Sequence, residues 1–155
     1  MADVPLESVA VTAQAAIAAP ADQVWTLAWD PATSVLTEEG TTRAFTVPGT
    51  PAGQVGEIQC HVQTLPGGAQ VGMLTEVVEL EPGRRAVTRS LTQPGPDRSI
   101  TEVRPIDERS CVLRLTHLTH GLNPEAQAAV RTHAESYVAR LRDIAEAAQR
   151  STGRS

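Results

Sequence analysis

From Thr41 to His120 apolar residues recur mainly at every second position, and beyond Pro124 they recur at every third or fourth. A chain with that change of period has to build a sheet and then lay one long helix against it. The stretch 54–64 is the clearest strand: Ile58, Cys60 and Val62 share one face, and Glu57, Gln59, His61 and Gln63 share the other. One face is expected to be buried and the other wet. The alternating segments are separated by Pro48-Gly49, Pro66-Gly67-Gly68, Pro82-Gly83 and Pro94-Gly95-Pro96-Asp97. Such turns are too short for the crossovers that parallel pairs need. Strands are therefore predicted at 9–17, 43–47, 54–64, 71–81, 84–93, 99–104 and 110–120, some six to seven in all, mainly antiparallel.

Two short helices are expected after the first strand. Pro20 opens one over 21–29, and Asp30-Pro31 stops it, because the residue before proline avoids the α region. The second covers 32–39 and ends at Gly40. The long helix begins with Asn123 as N-cap, Pro124 at the first helical position and Glu125 complementing the dipole. It should run to Gln149, about 39 Å at 1.5 Å per residue. Val130, Ala134, Tyr137, Leu141, Ile144 and Ala148 form its apolar stripe, whose only partner is the apolar face of the sheet. The fold class is α+β.

The 155 residues suit a single domain over 1–155, with 1–8 and 151–155 expected to be flexible. A net charge of −5 without a single lysine disfavours a nucleic-acid partner, and it disfavours anionic lipid as well. Aromatic residues are 3% of the chain, so a pocket must be lined mainly by Val, Leu, Ile and Ala, and base-stacking platforms cannot be built in number. Cys60 and Cys111 read as reduced, buried thiols. The opening residues carry Asp3 and Glu7 and no apolar core, so neither a signal peptide nor a membrane span is expected, and a cytoplasmic location is expected. No dinucleotide, P-loop or zinc-finger pattern occurs, and no cofactor or metal is expected. The partner expected is an apolar small molecule, with a homodimer as a further association.

Three local features resemble the START-like, or SRPBCC, superfamily. They are Ile17-Ala18-Ala19-Pro20-Ala21-Asp22-Gln23-Val24-Trp25, the stretch Val77-Val78-Glu79-Leu80-Glu81-Pro82-Gly83-Arg84-Arg85, and the long terminal helix. That superfamily includes polyketide cyclases, birch-pollen allergen proteins, lipid-transfer START domains and chaperone-ATPase activators. The resemblance implies a helix-grip fold: a curved antiparallel sheet around the C-terminal helix, with a ligand cavity between them. It also implies that the first helix borders the cavity, with Trp25 packing in the core and Trp29 the better placed to touch a ligand.

His117 and His120 are three apart, which on a strand sends them to opposite faces, so they do not form a shared metal site. His117 shares a face with Leu113 and Leu115 and is the candidate general acid or base. Glu76 lies between Leu74 and Val78, and Arg89 lies between Val87 and Leu91. If those faces are concave, Glu76 and Arg89 are catalytic candidates; if Val71, Met73, Thr75 and Val77 and Ala86, Thr88 and Ser90 are the inward sets, both lie in water. The expected ligand lining is Trp29, Ile58, Cys60, Val62, Leu74, Val78, Leu113, Leu115, Tyr137 and Leu141. Function is expected to be binding of a polyketide-, lipid- or terpenoid-like molecule, with cyclisation or dehydration by orientation and proton transfer. The alternative is a non-catalytic carrier or a protein-interaction module of the chaperone-activator type.

Overall fold

The structure, a computed structural model, describes residues 7–153. The order of elements is β1 (Ser8–Ile17), α1 (Ala21–Trp29), α2 (Pro31–Thr37), β2 (Thr41–Thr46), β3 (Ile58–Thr64), β4 (Gln70–Glu81), β5 (Arg85–Ser90), β6 (Arg98–Asp107), β7 (Ser110–His120) and α3 (Pro124–Thr152). Among the described residues the seven strands form one sheet in the order β1-β7-β6-β5-β4-β3-β2, and every pair is antiparallel. Tight turns account for this. Gly67 and Gly68, both at positive φ, close the β3–β4 hairpin in a conformation that side chains resist. The α+β architecture of curved sheet, two short helices and long C-terminal helix is the expected one.

Element ends differ from expectation where local hydrogen bonds intervene. β3 begins at Ile58 rather than Gln54, because the Gln54 and Glu57 amides donate to the carbonyls of Pro51 and Gln54 in successive turns. α3 continues through Ser151 and Thr152, and the Gly153 amide donates to the carbonyl of Gln149, so the fraying expected from 151 does not occur there. The flexibility expected of 1–6 and 154–155 falls outside the described residues. The Asn123 side chain accepts from the Ala126 amide at 2.8 Å, and Asp30 caps α2 in the same way through Ala32. No described helix is long and apolar enough to cross a membrane.

Helix α3 packs on β1 and β7 and against α1 and α2. Its buried line is Ala134, Val138, Leu141 and Ala145, over Ile17, Leu113 and Val103. The predicted stripe is thus turned slightly about the helix axis: Ala148 is exposed, and Val130, Tyr137 and Ile144 are half-buried. Small residues at 134 and 145 let the helix approach the sheet closely, with the bulk of Leu141 between them.

Sheet register decides which strand faces look at α3. Residues directly opposed in antiparallel strands point to the same side. Val11 pairs with His117, His117 with Ser99, Ser99 with Thr88 and Thr88 with Val77, so all five lie on the inner, helix-bearing side. The same logic puts Ile58, Glu76 and Arg89 together on the outer side, with Cys60 and Leu74 beside them. A bulge at Val78 shifts the register, so that Val77 before it and Leu80 after it both reach the inner side.

Candidate functional site

The buried line of α3 begins at Ala134; the turns before it stand off the sheet. There, between the inner face of β4–β7 and the start of α3, lies a cavity of about 520 Å³. Thr88, Ser90, Ser99 and His117 form its sheet wall, and Val130 and His133 part of its helix wall. A second pocket of about 60 Å³ continues it towards α1, lined by Trp25, Trp29, Gln59 and Ala86 among others. Thr75 and Thr88 border both spaces, so they share one floor. The floor is rich in hydroxyls, whereas the sequence leads one to expect a mainly aliphatic lining.

His117 is fixed by its neighbour across the strand pair. Its Nδ1 lies 2.8 Å from Ser99 Oγ, while its Nε2 is buried with no protein partner. Burial holds the imidazole below its ordinary pKa, and the electrostatic influence of nearby His133 adds to the effect. The ring is therefore neutral at pH 7, with one nitrogen oriented and the other unpaired. His120, three residues on, is engaged elsewhere: its Nδ1 is 2.9 Å from Asp97 Oδ1.

The far pocket is organised by a buried carboxylate. Glu57 is 1% exposed, accepting from the Gly53 amide at 2.9 Å and from Gln59 Nε2 at 2.7 Å. The same Gln59 nitrogen donates to the carbonyl of Trp29 at 3.1 Å, which ties β3 to the end of α1. The Trp29 ring stacks on Trp25 with centroids 5.4 Å apart, and its Nε1 is buried without a partner.

No family model and no curated protein sequence matches this chain. Solved structures do. The Zhui aromatase/cyclase from Streptomyces sp. R1128 superposes with a TM-score of 0.74 at 18% identity, covering 95% of this chain and 99% of that one. A START superfamily protein from Mycobacterium smegmatis gives 0.70 at 13% identity, covering 88% and 97%. Norcoclaurine synthase from Thalictrum, a point mutant in complex with a transition-state analogue, gives 0.67 at 15% identity, covering 95% and 99%. The fold is the START-like helix grip. At these identities the likeness extends to the fold and no further.

Within the helix grip the expected site residues separate into three groups. His117 and Trp29 border the two pockets. Leu113, Leu115, Leu141 and Tyr137 instead pack into the core beneath α3, because the helix closes directly over β1 and β7 and leaves no gap there. Burial, with Glu38 nearby, pushes the Tyr137 hydroxyl well above its ordinary pKa. Ile58, Cys60, Val62, Leu74 and Val78 are corrected: the first four lie on the outer side, and Val78 is the extra residue of the bulge. Glu76 and Arg89 take the outward of the two arrangements that the sequence leaves open: they face each other on that outer side in a 3.1 Å ion pair, and Arg89 also borders the cavity mouth. Sequence reading missed Ser99, Gln59, Glu57 and His133. Ser99 could have been found from His117 once the β6–β7 register was known; nothing in the linear sequence marks Glu57 or Gln59 as inward.

Proposed function

We propose that the cavity binds a largely apolar small molecule carrying oxygen functions, and that His117 moves a proton on it. One observation carries the reading: on the wall of a cavity of about 520 Å³ stands a neutral imidazole whose Nδ1 is held by Ser99 and whose Nε2 has no protein partner. When Nδ1 carries the hydrogen and donates it to Ser99 Oγ, Nε2 presents a lone pair as general base. The shape of the space suits folding of a flexible chain, and orientation would supply much of the rate. The reaction class is an intramolecular aldol of a polyketide-like chain. Nε2 takes a proton from a methylene between two carbonyls. The carbanion adds to a ketone carbon of the same molecule, forming one carbon–carbon bond. The imidazolium then returns the proton to the alkoxide, and loss of water from the product gives dehydration. The superposition on an aromatase/cyclase supports this choice over lipid carriage.

The test is His117→Ala. A panel of long-chain and polycyclic apolar compounds should raise the Tm of wild type and variant alike. Turnover of a poly-β-ketone should fall by about 10²–10⁴-fold in the variant. Absence of thermal stabilisation by every compound would refute the binding site, and wild-type turnover by the variant would refute the role of His117. Binding without turnover in the wild type would assign the chain as a carrier.

A further inference from the structure

We infer that Trp29 and Gln59 form a paired donor and acceptor that read a neutral hydroxyl group, so that the molecule entering the cavity carries a phenolic or alcoholic OH at the end that reaches α1. The inference rests on the cavity reading above and deepens it.

Among the described residues two buried side-chain polar atoms lack a hydrogen-bond partner: His117 Nε2 and Trp29 Nε1. The first has its use in the proposed chemistry. The second is a donor in a residue that lines the smaller pocket. A buried donor left unpaired is costly, so an acceptor outside the protein is expected to meet it.

Gln59 supplies the matching half. Its amide nitrogen carries two hydrogens, and both are committed, one to Glu57 Oε2 and one to the Trp29 carbonyl. Turning the amide over would press its oxygen against those two acceptors, so the orientation is fixed by the network. The amide oxygen is left with no hydrogen bond to the protein, in a residue that lines the same pocket. This explains a fully buried carboxylate with no place in the proton transfer: Glu57, itself braced by the Gly53 amide, holds the Gln59 oxygen outward. Glu57 is thus a positioning residue.

A donor and an acceptor on residues that line one pocket discriminate by chemistry. A hydroxyl accepts from Trp29 and donates to Gln59. A ketone or ether satisfies Trp29 alone. A hydrocarbon satisfies neither, and a carboxylate sets a second acceptor against the Gln59 oxygen. The pocket of about 60 Å³ has room for a hydroxyl or a methoxy group, while Thr75 and Thr88 lead on to the space where a ring system fits.

The experiment compares 2-naphthol, 2-methoxynaphthalene and naphthalene by calorimetry, with naphthalene measured by competition. Hydrophobic transfer alone ranks naphthalene and the methyl ether above 2-naphthol, so the inference demands that 2-naphthol bind tightest. Expected is 2-naphthol at least tenfold tighter than naphthalene, with the methyl ether between them. Trp29→Phe keeps an aromatic ring and removes the donor; it should weaken 2-naphthol and the ether about tenfold and leave naphthalene unchanged. Naphthalene binding as tightly as 2-naphthol would overturn the inference while the cavity reading stands. Equal loss for all three probes in Trp29→Phe would do the same, by showing that the ring only packs. Binding of none of the three would overturn the cavity reading and this inference together. Should Trp29→Phe fail to fold, the wild-type order decides alone.

Discussion

Replacing Glu57 by glutamine alters one terminal group in a position that is 1% exposed, and the surrounding hydrogen bonds fix what must follow. The carboxylate accepts from Gly53 N on one oxygen and from Gln59 Nε2 on the other. An amide at position 57 has one oxygen for two donors. If that oxygen stays with Gly53, its NH₂ group faces the Gln59 nitrogen at the former 2.7 Å contact, donor against donor. Relief requires Gln59 to turn over, which sets its oxygen against the Trp29 carbonyl and forfeits the 3.1 Å bond there. Every arrangement loses one hydrogen bond and leaves one buried group unpaired, at about 1–3 kcal/mol. For a chain of this length that is a fall in Tm of about 2–12 °C. Glu57→Leu removes both acceptor oxygens, strands two donors and should cost about 2–6 kcal/mol. Urea unfolding followed by circular dichroism measures both. A double-mutant cycle with Gln59→Met should return a coupling above about 0.5 kcal/mol, since the two side chains touch. Glu57→Gln within about 0.3 kcal/mol of wild type, or a stabilised Glu57→Leu, would show that the carboxylate does not brace this corner. Glu57→Gln should also erode the preference for 2-naphthol, because the turned amide no longer offers its oxygen to the pocket.

Two further outcomes test the packing and the titration of the site. Leu141 is fully buried between α3 and the sheet, away from both pockets, so Leu141→Ala should cost about 2–5 kcal/mol in urea unfolding and leave probe affinity at the cavity unchanged; a cost under about 0.5 kcal/mol would mean the helix–sheet contact is drawn wrongly. His117 titrates near 6.5 in the unfolded chain and lower in the fold, where burial and then His133 depress it. Between the two values the unfolded chain binds the extra proton, so the stability present above about pH 6.5 is lost as pH falls through the folded value and levels off below it. Stability measured against pH should show this acid-side decline in wild type and a shallower one in His117→Gln; parallel curves would place the histidine in solvent.

The fold was legible because its signals are periodic and local. Period two between turn-formers, the Asn123-Pro124-Glu125 helix start and the Asp30-Pro31 stop each act within a few residues, and each recurs in the structure where the chain predicts it. The inner and outer faces were legible only where one of them is covered. β7 lies directly beneath α3, so Leu113 and Leu115 mark its inner side, and His117 follows from them by alternation. β3, β4 and β5 border a cavity instead of a packed helix. Their inner side carries Gln59, Thr75 and Thr88, while Ile58, Cys60, Val62 and Leu74 are half-buried on the outer side. On β3 the rule that the more apolar face is the buried one inverts, whereas β4 keeps it, with Met73 and Val77 on the inner side. The bulge at Val78 compounds the difficulty, since past it alternation counted from Leu74 selects the wrong side. Glu57 was invisible as well. Its burial depends on Gly53, Gln59 and Trp29 arriving together from a turn, a strand and a helix end, and no spacing in the chain encodes that meeting. The residues hardest to read from sequence are therefore those that make this cavity polar at both ends, and they are the ones on which its selectivity is proposed to rest.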